Sequence, residues 1–314
     1  MLDYTTVMAW PFEPVAKHYA GEDVVRAAKG MGAGLPGPLE EGDAVFMDKV
    51  TPKPLPMMAT VLADGEFWQS DPATGIDWQK IVHAGESITQ HRPLPPEGKV
   101  TVTQGIEGIY DRGPDKSAVM YQWQNVSSPD GEPYVTIQVT TVLRGDGGFG
   151  GEPDPRPRLK TVPDSQEPDD RLVMRAPVAE AAEAAGLVIA VPLSVASGAE
   201  QSQPMLRGMG IFGLAGRAAI ASLCDNDPDR LKHFAVRYAG PLFCGEEVAI
   251  EIWRLAPGRA ARRQPWQGTS RYSAIAWWNT GDFPHGENSS LSYHVLVIQT
   301  VRQKVISPIP CPSG

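Results

Sequence analysis

Two series of alternating apolar strands divide this chain into halves with one plan, and that repeat most constrains its fold. Each series follows an apolar helix candidate and opens on a turn with proline and glycine, "RPLPPEGKV" at 92–100 and "AGPLFCGEEV" at 239–248. In the first half Leu55–Trp68 reads as the helix, and the strand at 98–113 carries Val100 and Val102 on one face. Strands at 117–126 and 133–143 flank a hairpin turn marked by Asp130-Gly131. In the second half the helix is read at 205–224, followed by a strand in which Val248, Ile250 and Ile252 alternate, then strands at 270–278 and 290–301. The predicted class is α+β, with antiparallel strands around a helix in each half. Residues 152–175, rich in proline and charge at their start, are predicted to be an extended linker between domains at 1–151 and 176–314.

The second helix carries Gly208, Gly210, Gly213 and Gly216. Glycine costs about 1 kcal/mol against alanine inside a helix, so four of them predict close approach of a curved sheet or a ligand to the helix backbone. Loose packing at a helix start is the plainer alternative.

Composition narrows the function. A net charge of −9 disfavours nucleic acid and anionic membranes as partners. Cys224, Cys244 and Cys311 share no metal-ligand spacing, and an odd, sparse set fits a reducing compartment. The start lacks the pattern of a secretory signal and no apolar run has membrane-spanning length, so a cytoplasmic protein is expected. No phosphate loop, dinucleotide fingerprint or zinc site is present, and no metal or cofactor is implied.

Several stretches together carry a resemblance: "AAKGMGAG", "LPMMATVLA", "IVHAGESITQHRPLPPEGKV" and "LRGDGGFGGE" in the first half, "QPMLRGMGIFGLAGRAAIASL" and "DNDPDRLKHFAVRYAGPLFCGEEVAIEIW" in the second. The chain resembles the MaoC-like, (R)-specific enoyl-CoA hydratase (hydratase 2) family. The resemblance implies a double hot-dog fold and an acyl-thioester substrate. It also implies acid–base chemistry from a loop reading Asp-x-Asn-Pro-Leu-His in the second half, beside the start of the helix.

That chemistry is missing where the family would place it. The loop reads "IAVPLS": the acid position is Ile189, the Asn position Val191, the His position Ser194, and the His at the helix start is replaced by Arg207. Residues 176–203 hold no Asp or His, only Glu180, Glu183 and Glu200. Glu180 and Glu183 read as a solvated helix face, or as a relocated base. His83 matches a histidine that shapes the family's acyl pocket and reads as catalytic or as a bonded structural residue. Arg207 reads as a grip on a ligand's anionic end, or as the partner of Glu200. Asp282, His285 and Glu287 share a polar loop that could serve as a base or metal site. The candidate site is therefore Arg207, Ser194 and His83 for catalysis, with Ile189, Val191, Gly208 and Gly210 lining the substrate.

Three functions follow. The first is a lyase of the hydratase/dehydratase type, or a related isomerase, with atypical acid–base groups. The second is a catalytically degenerate acyl-binding subunit, working as a homodimer or beside another hot-dog protein. The third is a pocket reused for cyclisation, where positioning supplies the rate.

Overall fold

The computed structural model describes residues 2–156, 167–190, 204–255, 272–279 and 293–300. The first half contains α1 (Tyr4–Met8), β1 (Val15–Tyr19), α2 (Gly21–Gly30), α3 (Met58–Ala63), β2 (Ile81–Gln90), β3 (Gly98–Asp111), β4 (Ala118–Ser127) and β5 (Pro133–Leu143). The second contains β6 (Asp170–Arg175), α4 (Ala179–Ala184), β7 (Val188–Ala190), β8 (Pro204–Leu206), α5 (Gly208–Leu223), β9 (His233–Tyr238), β10 (Glu247–Leu255), β11 (Tyr272–Asn279) and β12 (Tyr293–Thr300).

Ten strands form one antiparallel sheet in the order β1-β3-β4-β5-β2-β9-β11-β12-β10-β6, and β7 pairs with β8 separately. The halves join where β2 meets β9, with Glu86 opposite Val236 and Ile88 opposite Phe234. Each half runs from an edge strand to a central strand, so this is the expected double hot dog. The halves differ in one respect: β3, β4 and β5 pair in sequence, whereas β12 lies between β10 and β11.

The region expected to be a linker is partly built into the sheet. Its last six residues form the edge strand β6 against β10, with Met174 opposite Val248. Its first residues are fastened over the first half: Tyr121 Oη donates to Asp154 at 2.7 Å, and the Arg156 guanidinium lies 3.4 Å above the Tyr121 ring. The glycine run before it turns at Gly148 and Gly150, both at φ 84°, while Asp111 accepts from the amides of Gly113, Gly148 and Gly150.

Helix α5 is apolar around its circumference except at Arg217, and every residue from Met209 to Ile220 is buried, including Phe212, Leu214 and Ala215. Burying one such leucine or phenylalanine contributes about 1.5–3 kcal/mol. The glycines of α5 admit neighbours, and the two in mid-helix admit different ones from those expected. A Cβ on Gly213 would strike Met31 just after α2, and one on Gly216 would strike Met57 just before α3. Both methionines belong to the first half, so these glycines let the helical layers of the two halves interlock rather than admit a sheet. Arg217 on α5 is buried with Asp43 of the first half, Nε to Oδ1 at 3.3 Å, and adds a charged contact to the same interface.

Candidate active site at the junction of the halves

The site begins with an irregularity in β2. His83 pairs with Thr141 and Gly85 with Thr140, so Ala84 is an extra residue bulged out of the ladder. In a regular strand, residues three apart point to opposite faces. One bulged residue reverses that parity, so His83 and Glu86 share a face. Gly85 is required there, because a Cβ would lie 2.8 Å from the carbonyl oxygen of Val236 on β9.

The shared face is the inner one. Glu86, Ile88 and Gln90 alternate as buried residues along β2, and Phe234 and Val236 do so along β9. Gln90 is satisfied, donating to the carbonyls of Pro228 and Leu231 at 3.0 Å each. Glu86 accepts from Tyr238 Oη at 3.0 Å; Tyr238 is two residues beyond the residue opposite Glu86 and therefore a diagonal neighbour on the same face. Glu86 Oε2 also lies 4.0 Å from His83 Nε2. The His83 ring sits edge-on to Tyr238, with centroids 4.9 Å apart.

The start of α5 closes over this cluster. A Cβ on Gly208 would lie 2.7 Å from His83 Nδ1 and 3.0 Å from the Tyr238 ring, so only glycine fits at the helix's first position. The first intrahelical bond runs from Gly210 N to the Arg207 carbonyl at 2.9 Å, which leaves the amides of Gly208 and Met209 ahead of it. Arg207, the N-cap, turns its guanidinium to Asp64 just after α3, with bonds of 2.6 and 2.8 Å, and to the Gly186 carbonyl at 2.9 Å.

These surroundings set the protonation. Burial pushes the Glu86 carboxyl up to about 8, opposed by the Tyr238 hydrogen bond and the Arg207 charge and helped by Asp64. Burial pushes His83 down to about 4, opposed by the Gly85 backbone and helped by Arg207. Burial and the neighbouring Glu86 raise Tyr238. Near neutrality Glu86 is thus an acid and His83 a neutral imidazole, so their 4.0 Å approach is not an ion pair. The His83 side chain is 33% exposed, while its Nε2 is sealed and has no hydrogen-bond partner.

Of the residues predicted from the sequence, the structure brings together His83, Arg207 and Gly208. Gly210 faces elsewhere: a Cβ there would meet Leu206 and Leu187, which is apolar packing and not a substrate wall. Ile189 is 45% exposed on β7, paired with Met205, and is not enclosed in a pocket. Val191, Ser194 and Glu200 lie outside the described residues, as do Asp282, His285 and Glu287. The carboxylate that Arg207 meets is Asp64, which closes the guanidinium off as a free grip on a ligand. Glu180 and Glu183 stand exposed on α4, as a solvated helix face requires. Sequence reading missed Glu86, Tyr238 and Asp64. The available signal was an acid in the inward alternation of Glu86, Ile88 and Gln90, three residues after a histidine.

No family model matches the chain. The chain is 30% identical over 261 residues to 3-hydroxyacyl-thioester dehydratase Y of Mycobacterium tuberculosis, covering 80% of this chain and 87% of the relative. The chain belongs to the MaoC-like hydratase 2 family. It is also 27% identical over 263 residues to the enoyl-CoA hydratase ChsH3 of the same organism, covering 81% of this chain and 90% of the relative. Among solved structures, a MaoC-like dehydratase from Phytophthora capsici superposes with a TM-score of 0.65 over 95% of this chain and 99% of its own, at 19% identity. That likeness supports the fold.

Proposed function

We propose that the chain adds water to, or removes it from, an acyl thioester such as an acyl-CoA. Relatives named for that chemistry support the reading, and one observation carries it: a buried carboxyl and an imidazole meet beside the first residue of a buried helix. Hydration of an enoyl thioester places negative charge on the thioester oxygen as water attacks Cβ. The amides of Gly208 and Met209 are suited to that charge, since helix N-termini favour anions. No group of three His, Cys, Asp or Glu among the described residues is arranged to hold a metal ion. No described helix is long and apolar enough to cross a membrane.

The test is turnover by the purified chain of a panel of trans-2-enoyl-CoAs and of the matching (R)- and (S)-3-hydroxyacyl-CoAs, followed by loss or gain of the enoyl-thioester absorbance. Turnover is expected in both directions, with the (R)-hydroxy thioesters as partners. Stable binding of acyl-CoAs with no turnover would instead identify a degenerate acyl-binding subunit.

A further inference from the structure

We propose that His83 and Glu86 have taken over the acid–base work of the absent loop dyad, with Tyr238 positioning the carboxyl. The inference rests on the hydratase/dehydratase reading and assigns its residues. Ile189 and Val191 cannot transfer protons, yet a carboxyl and an imidazole still meet beside the same helix start.

A separation of 4.0 Å is too long for a direct hydrogen bond, so neither group's proton is tied up by the other. Nε2 is buried and lacks a hydrogen-bond partner, so it is free to accept a proton. Tyr238 holds the carboxyl from the opposite strand, and the bulge at Ala84 with the obligatory Gly85 fixes the shared face. The other charged groups near the pair, Arg207 and Asp64, are bonded to each other, so their opposite charges offset in part.

The steps balance. In hydration, the water oxygen forms a bond to Cβ and its proton passes to His83 Nε2. The electron pair of the Cα–Cβ double bond moves toward the thioester carbonyl, and Cα then takes the proton of the Glu86 carboxyl. The imidazolium and carboxylate so formed are neighbours, and the proton returns from Nε2 to Oε2, restoring the starting state. Dehydration is the reverse: the carboxylate takes the Cα proton and the imidazolium protonates the departing hydroxyl. The pair holds one titrating proton before and after each turnover, and two only while the water's proton is on His83 and Glu86 has not yet given up its own.

The experiment compares wild type, Glu86→Gln, His83→Asn and Tyr238→Phe in hydration of whichever enoyl-CoA the wild type turns over fastest, with thermal unfolding to check folding. Glu86→Gln and His83→Asn are each expected to lower kcat by about 10²–10⁴-fold, with KM changed by no more than about threefold. Tyr238→Phe is expected to lower kcat less and to move the alkaline limb of the pH profile upward, because the lost hydrogen bond had lowered the Glu86 pKa. A purely structural tyrosine would leave that limb in place. If Glu86→Gln does not fold, His83→Asn decides the question. An active wild type whose folded Glu86 and His83 variants keep kcat within about tenfold overturns the assignment and leaves the hydratase reading standing. A wild type inactive on every thioester overturns both.

Discussion

Tyr238 and Glu86 come from different halves of the chain and bond at 3.0 Å across the strand pair that joins them. The carboxyl is supplied by β2, the phenol by β9, and the helix start above them by α5. Neither half holds this site alone, so its chemistry depends on the register of a single junction.

The buried carboxyl makes stability depend on pH. The Glu86 pKa is raised in the folded state, from an ordinary 4.5 to about 8. Its neutral form is therefore tolerated at low pH, and stability is lost as pH rises from the ordinary value to the folded one. The loss sets in above about 4.5 and is nearly complete, on the order of 5 kcal/mol, by about 8. Glu86→Gln removes the charge and keeps the shape. Thermal unfolding should show the variant melting above wild type near about pH 9 and losing that advantage near about pH 5.

Gly85→Ala should disturb the junction directly. The new Cβ would press on the Val236 carbonyl at 2.8 Å, and backbone cannot move aside as a side chain tip can. The expected cost is about 1–3 kcal/mol, read from denaturant unfolding, with loss of turnover because the His83–Glu86 face is displaced.

Arg207→Ala should affect chemistry more than stability. Its bond to Asp64 joins side chains that are 32% and 38% exposed, and such a pair contributes about 1 kcal/mol or less. Arg207 lowers the pKa of both Glu86 and His83. Its removal should move both limbs of the activity profile to higher pH, whereas unchanged limbs would show that its charge does not reach the pair.

The glycines of α5 should differ under the same substitution. In Gly216→Ala the new methyl meets first the flexible tip of Met57, which can turn away, and alanine's helix preference of about 1 kcal/mol offsets the cost. In Gly213→Ala it meets Met31 at Cγ and at Cβ, the latter at 2.8 Å, close to the backbone. Unfolding of the two variants should show Gly213→Ala as clearly the less stable.

The strands that alternate apolar residues cleanly, β3, β5 and β10, were legible in the sequence, as was the buried helix α5. Strand β2 was not, because Glu86 and Gln90 occupy inward positions where an apolar residue would mark the period. Strand β6 was hidden by the proline and charge of the segment that leads into it. His83 and Arg207 could be singled out by resemblance to the family. The pairing of His83 with Glu86 could not be, since it depends on the bulge at Ala84, and a bulge shows itself only in the register with β5. Asp64 and Tyr238 reach the site from elements distant in sequence, and no local pattern links them to Arg207 or Glu86.

The most direct test of the central claim is the pH dependence of kcat/KM for hydration by wild type and Glu86→Gln measured side by side. The pair works when Glu86 is protonated and His83 is neutral, so wild type should give a bell with limbs near the pKa values of about 4 and about 8. Glu86→Gln should lose the alkaline limb together with most of the rate. A fully active Glu86→Gln variant with the wild-type profile would contradict the account.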